Sequence, residues 1–242
     1  METLILSLAF FFAAVLYSSV GHAGASAYLA AMALVGIASS TMRPTALALN
    51  ILVSSLVIYR FNKSELIAWK KIVPFILGSI PAAFIGGSLN IDTSTYNTLI
   101  GVVLIIVALQ LVFNNKFTDK PTTDIYFIAA ILVGITLGFL SGLTGTGGGI
   151  FLTPLLILAG WATTRQAAGL SAVFIFSNSL SGLIGNYSNF KFLPAELPLW
   201  LLVVASGALI GSYFGANKLP TIALRRALGF VLLIASGKLL FL

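Results

Sequence analysis

Apolar residues run along this chain in long blocks with short polar breaks, at about 4–20, 26–38, 44–60, 72–90, 95–113, 125–142, 150–161, 166–187, 197–216 and 222–242. A helix needs about 20 apolar residues to cross the hydrocarbon core of a bilayer, with a working range near 17–25. Eight of the ten blocks come close to that length, while Ser26–Ala38 and Ile150–Trp161 are too short. Pro74, Pro81 and Pro154 lie inside or near the starts of blocks, which membrane helices tolerate when neighbours satisfy the freed carbonyls. The pattern predicts an all-α integral membrane protein of about ten hydrophobic helical segments. The first block, Leu4–Val20, has neither a basic leader nor a polar mature region behind it, so it is read as a membrane segment and not as a signal peptide.

Composition sharpens this. Of 242 residues, 59% are apolar and 8% charged, and the mean hydropathy is +1.07. Soluble domains carry about a quarter charged residues, so lipid must solvate most of this surface. The chain has no cysteine, which excludes disulfides, thiolate metal sites and cysteine nucleophiles. The formal charge of +7 could suggest nucleic acid, or the basic cytoplasmic loops of a membrane protein; the placement of the charges decides.

The polar stretch Asn114–Asp124 divides the chain nearly in half. Moving the first half by 124 positions lays Gly21, Gly24 and Gly36 on Gly145, Gly148 and Gly160. With a shift of 128, Asn97–Phe113 lies on Arg225–Phe241 with six identities in 17 positions. An ordered glycine series of this kind indicates duplication: a first repeat at 1–114, a cytoplasmic linker at 115–124 and a second repeat at 125–242. Five segments per half is an odd number, so the second copy enters the membrane from the opposite side, giving inverted-topology repeats.

The basic residues test that arrangement. If all ten segments cross, one side receives Arg60, Lys63, Lys70, Lys71, Lys116, Lys120, Arg165, Lys218, Arg225 and Arg226, and the other only Arg43, Lys191 and Lys238. Joining each short segment to its predecessor as one broken helix weakens the bias to eight against five. Re-entrant hairpins at segments 1–2 and 6–7 preserve it, so full spans and hairpins both stay open. The richer side is cytoplasmic, which places both termini outside in a multi-pass protein of the cell (inner) membrane.

Candidate chemistry is scarce at mid-depth. Glu2, Glu65, Asp92, Asp119, Asp124 and Glu196 all lie at block ends or in loops, so no carboxylate is placed to bind a cation or relay protons there. With no cysteine and one histidine, the usual catalytic sets are missing; no enzyme, metal site or cofactor is expected. Glycine is what remains. Thr144, Gly145, Thr146, Gly147, Gly148 and Gly149 precede the short seventh segment, and their repeat partners Gly21, His22, Ala23 and Gly24 precede the short second one. Glycines let backbone approach a ligand, and a helix starting behind them offers open N–H groups and a positive dipole end, an anion site without Lys or Arg. Close helix packing is the competing explanation for the glycines. His22 is a candidate for substrate or proton contact, and Asn50 and Ser171 for lining the pathway. Arg43 and Arg165 either attract anions or hold helix ends by snorkelling, and Trp69, Trp161 and Trp200 are placed at membrane interfaces.

In order along the chain, Gly21–Ser26, Arg43–Pro44–Thr45–Ala46 through Asn50 and Ser54–Ser55, Pro81–Gly87, Gly138–Gly149 and Leu224–Arg225–Arg226 resemble the sulfite exporter TauE/SafE family of membrane permeases. The resemblance covers essentially the whole chain, and the glycine-rich stretch at its midpoint is the most specific part. It implies a transporter of sulfur-containing anions such as sulfite or organosulfonates, acting outward. The first-half stretch His22-Ala23-Gly24-Ala25 is poorer in glycine than the second-half one, which puts the equality of the two half-sites in question. The expectation is a secondary carrier of a small anion working by alternating access, with a passive anion channel as the alternative and a non-transporting scaffold as a third reading. Its expected partners are that anion and the lipid bilayer, not nucleic acid; a homodimer is admitted but not required.

Overall fold

The computed structural model describes residues 2–113, 123–217, 232–233 and 236–240. Most of the 115–124 linker, most of the tenth block and Leu224–Arg225–Arg226 lie outside the described residues. Nine α-helices are described: α1 (Glu2–Ser18), α2 (Ala25–Val35), α3 (Ser39–Lys63), α4 (Trp69–Ser88), α5 (Thr93–Phe113), α6 (Phe127–Thr144), α7 (Gly149–Leu158), α8 (Thr164–Gly185) and α9 (Leu197–Asn217). A 3-10 turn, Tyr187–Phe192, links the last two, and no strand occurs among the described residues.

Five of these helices, α3, α4, α6, α8 and the Leu197–Gly215 part of α9, are long and apolar enough to cross a membrane. Of the eight blocks of near-spanning length, the fifth forms the 21-residue α5 and the tenth lies mostly outside the described residues. Helix α1 stops after 17 residues, because the chain turns at Gly21 (φ +81°). Helices α2 and α7 have 11 and 10 residues; at a rise of 1.5 Å per residue each is roughly 15 Å long, about half the thickness of a hydrocarbon core.

The ends of the two short helices are built alike. Each begins on a left-handed glycine, Gly24 (φ +105°) and Gly148 (φ +74°). Each ends in a Schellman arrangement around another left-handed glycine. Gly36 N–H donates to Ala33 O (3.1 Å) and Ile37 N–H to Met32 O (3.0 Å); Gly160 N–H donates to Ile157 O (3.1 Å) and Trp161 N–H to Leu156 O (2.9 Å). Only glycine takes φ near +80° without a Cβ penalty, so these positions stop the helices by local sterics alone.

Helix α4 packs on α6 and α8, α9 packs on α1 and α3, and α3 packs on α8 at the centre. Small residues set the separations. Gly134, Gly138 and Gly142 bring α6 against the Phe75, Ser79 and Ala83 carbonyls of α4, and Gly207, Gly211 and Gly215 bring α9 against the Phe11, Val15 and Ser19 carbonyls that follow one face of α1. Between helices in lipid, dispersion contact replaces hydrophobic burial as the attraction, so close approach is what stabilises the pair. Gly138→Leu would drive a side chain into the Ser79 backbone. We expect it to cost at least about 2 kcal/mol, read as a lowered midpoint of thermal unfolding in detergent.

Trp69 is half-exposed and donates to Asn62 Oδ1 (2.9 Å). Trp200 instead turns inward: it is 2% exposed and meets Phe10 edge to face at 5.2 Å, because α9 lies so close to α1.

Candidate functional site

The α6–α7 loop is buried along its whole length, from Thr144 to Gly149. Left-handed Gly145 (φ +83°), Gly147 (φ +79°) and Gly148 (φ +74°) fold it into a compact turn. Thr144 Oγ1 sits 2.9 Å from Thr146 Oγ1 and donates to Leu140 O (2.6 Å). The loop touches three helices. A Cβ at Gly147 would stand 2.8 Å from Asn50 Nδ2 of α3 and 3.3 Å from Ser179 Oγ of α8. One at Gly148 would meet the Phe174 ring at 2.9 Å and Ser141 Cβ at 3.3 Å, and one at Gly149 would meet Ser171 O at 3.2 Å. Gly145 lies against the Arg43 side chain.

Helix α7 starts in the middle of this packing. Its cap, Gly148, has no side chain to accept from the first turn; Phe151 and Leu152 N–H donate to Gly148 O, which leaves Gly149 and Ile150 N–H without a side-chain cap and the positive end of the dipole toward the loop. The other end is neutralised, since Lys71 Nζ donates to Trp161 O (2.8 Å) just past it. Lys238 Nζ does the same for α2 at Leu34 O (2.9 Å).

Several polar atoms around the α6–α7 loop are fully buried and have no hydrogen-bond partner among the described residues: Asn50 Oδ1, Ser141 Oγ and both amide atoms of Asn178. Asn50 spends only its Nδ2, on Ser179 Oγ (3.3 Å). Asn178 lies one turn from Phe174, which faces Gly148, and one turn from Gly182, which faces Gly142. Each such group left without a partner costs about 1–3 kcal/mol, and together they ring the start of α7.

The first-half loop, Gly21 to Gly24, is buried too, but its polar groups are used up. Tyr17 hydroxyl meets Ser26 Oγ at 2.7 Å and Tyr28 hydroxyl donates to Ala23 O at 2.6 Å. The Tyr28 ring also fills the space beside Gly24. Under the 124 shift Tyr17 and Tyr28 stand opposite Ser141 and Leu152, so large side chains close the first half where small ones leave the second open. Gly147 is left-handed, and its counterpart Ala23 is not. The two half-sites are therefore unequal.

His22 joins the halves: its Nε2 lies 3.1 Å from Gly149 O and 3.1 Å from Thr153 Oγ1, which meets Ser171 Oγ at 2.6 Å. Of the twelve candidate lining positions, all are buried and share this region. The two arginines do not behave alike. Arg165 is exposed in the first turn of α8, behind the Thr163–Gln166 capping box. Arg43 is 4% exposed and donates to Gly87 O, Leu89 O (3.1 Å) and Leu143 O (3.4 Å). It does not snorkel outward; it binds the C-terminal ends of α4 and α6, where a cation is stabilised by the dipole. Thr153 escaped the sequence reading because one threonine in an apolar ten-residue helix carries no sign of which neighbour it faces. Asn178 and Ser141 were equally ambiguous among many buried hydroxyls and amides.

A family description, sulfite exporter TauE/SafE, matches residues 6–239. The probable membrane transporter protein y4hK of Sinorhizobium fredii is 37% identical over 246 residues, covering 99% of each chain. A probable membrane transporter protein of Haemophilus influenzae is 26% identical over 198 residues, 73% of this chain and 72% of its own. Another, YdhB of Bacillus subtilis, is 28% identical over 145 residues, 59% and 57% of the two chains. No solved structure matches the chain. These names indicate a transporter and not an enzyme. With its spanning-length helices, its glycine-built loops and a match over nearly the whole chain, the protein is a multi-pass membrane protein that belongs to the sulfite exporter TauE/SafE family.

Proposed function

We propose that the protein is a secondary carrier of a small anion, a sulfur oxyanion or organosulfonate, exported by alternating access between two inverted repeats. The observation that carries this reading is the uncapped N-terminus of α7, ringed by buried polar groups that have no hydrogen-bond partner among the described residues. N–H groups, hydroxyls and an amide can all donate to oxyanion oxygens. All five acidic residues among the described ones, Glu2, Glu65, Asp92, Asp124 and Glu196, are exposed, so no described carboxylate opposes an anion there. The family description is the ground for the sulfur chemistry and the outward direction.

The inverted repeat is supported by the matched left-handed glycines at 21 and 145, 24 and 148, 36 and 160. It is supported again by the exchanged pairings α4 with α6 and α9 with α1. The second-half loop is the principal binding element, and the first-half loop is a largely closed copy. The excess of basic residues on one side is the reason to put both termini outside the inner membrane.

Proteoliposomes preloaded with sulfoacetate or sulfite test the reading. A carrier gives saturable uptake accelerated by anion on the far side; unitary currents in a planar bilayer would instead establish a channel. Asn178→Leu separates binding from folding. Replacing an unpartnered buried amide with an apolar side chain should raise the thermal midpoint and cut flux at least about tenfold. Full flux in that variant removes Asn178 from the pathway.

A further inference from the structure

The face of α8 that meets the α6–α7 loop carries one side chain whose hydrogen-bonding capacity is wholly unspent. Phe174 lies against Gly148, Ile175 and Ser179 against Gly147, and Gly182 against Gly142. Asn178 stands between them, one turn from Phe174 and one from Gly182, on the same stripe of the helix. It is 0% exposed, and neither its Oδ1 nor its Nδ2 has a hydrogen-bond partner among the described residues. The hydroxyls nearest to it along α8 are engaged: Ser179 Oγ accepts from Asn50 Nδ2 (3.3 Å), and Ser181 Oγ donates to Ile80 O (2.6 Å).

A carboxamide sets an acceptor beside a donor, whichever way round the group is turned. Burying both atoms without partners is unfavourable, so Asn178 is completed by something that donates and accepts at once. Water can do so, and a ligand that displaces it without reproducing both bonds loses affinity. Asn50 adds to the demand. With Nδ2 spent on Ser179, its buried Oδ1 is a second acceptor that receives no proton. The charged oxygens of a ligand find donors in Asn178 Nδ2, Ser141 Oγ and the uncapped start of α7. The two amide oxygens have no donor among the described residues. A fully deprotonated oxyanion supplies only acceptors and would bring its oxygens against Asn178 Oδ1 with no proton between them.

We infer that the site selects an anion carrying an O–H or N–H donor on its charged group, and that Asn178 is the selecting residue. Nδ2 donates to one oxygen of the ligand, and Oδ1 accepts from the O–H or N–H beside it. This rests on the anion-carrier reading above and narrows it. Among sulfur anions, hydrogen sulfite in its O–H form fits, whereas the sulfite dianion, sulfate and sulfoacetate offer acceptors only. The discrimination is of the strong kind, because the wrong ligand leaves a buried carbonyl unpaired and not merely a pocket unfilled.

Sulfamate and methanesulfonate isolate the donor. Both are monoanions of nearly equal size that do not titrate near neutral pH, and they differ only in an amino group against a methyl group on the same sulfonate. For the full chain in nanodiscs, calorimetry should find sulfamate bound at least about tenfold more tightly than methanesulfonate. In Asn178→Leu the two affinities should converge to within about threefold. A smaller preference in the wild type, or none, overturns the inference while leaving an anion site standing. So does binding of sulfite with no binding of sulfamate. A preference that survives Asn178→Leu overturns the role of Asn178; should that variant fail to fold, Asn178→Ala removes the amide without adding bulk and reads the same ratio. If neither of these ions, nor sulfite, thiosulfate or sulfoacetate, shifts the unfolding midpoint, the carrier reading and this inference fall together.

Discussion

Gly148→Val is expected to lower anion flux in proteoliposomes at least about a hundredfold, with folded protein still recovered from the membrane. Gly148 holds φ +74° as the N-cap of α7, where a β-branched side chain costs roughly 1–2 kcal/mol in backbone conformation alone. Its Cβ would also stand 2.9 Å from the Phe174 ring and 3.2 Å from Leu137 O, so the loop must shift. The strain falls on one turn and on the α6 face beside Leu137 and Ser141, while the Gly207, Gly211 and Gly215 contacts of α9 with α1 involve other residues. Displacing the leading N–H groups of α7 by an ångström is enough to lose orientation at the bound anion, which by analogy with positioned reactants is worth about two orders of magnitude. The matching control is Ala23→Gly in the first half. Its backbone does not need the left-handed region, so flux should stay within about twofold of wild type, the cost being only the added freedom of the unfolded chain. Wild-type flux from Gly148→Val would remove the start of α7 from the transport route.

The parts of this fold that follow from local rules were legible in the sequence. Spanning helices declare themselves by block length, and the two short helices by their glycines, since Gly24 and Gly36, Gly148 and Gly160 act through backbone sterics that need no tertiary partner. Burial of the two loops followed from the same glycines standing inside apolar surroundings. What depends on which neighbour a side chain meets was not legible. Arg43 reads as a helix-end residue and turns inward because the C-terminal ends of α4 and α6 converge on it. Tyr17 and Tyr28 read as ordinary aromatic residues of apolar helices, yet they close the first half-site and so decide that the second is the open one. Thr153 gains meaning only when His22, 131 positions away in sequence, is set beside it.

Arg43 carries the second large effect. Its guanidinium is buried, with three carbonyl partners from two helix ends and an Nε that has no partner among the described residues. No buried carboxylate among the described residues is present to balance it. Charge-assisted hydrogen bonds contribute about 1.5–3 kcal/mol each, and desolvation of the charge offsets part of that sum. Arg43→Met should therefore destabilise the protein by about 3 kcal/mol and loosen the α3–α4–α6 junction beside Gly145. Arg43→Lys keeps the charge but loses the planar fork that reaches three acceptors at once, so it should recover less than half of that loss. Anion affinity distinguishes the two roles of the residue. If the positive charge contributes to the binding field, Arg43→Lys binds within about threefold of wild type while Arg43→Met weakens binding at least about tenfold. If the residue serves only to join helix ends, affinity follows stability, and the lysine variant loses binding in proportion to its lowered unfolding midpoint. Thermal unfolding and anion titration of both variants decide this, and an Arg43→Met protein as stable as wild type would contradict the helix-joining role outright.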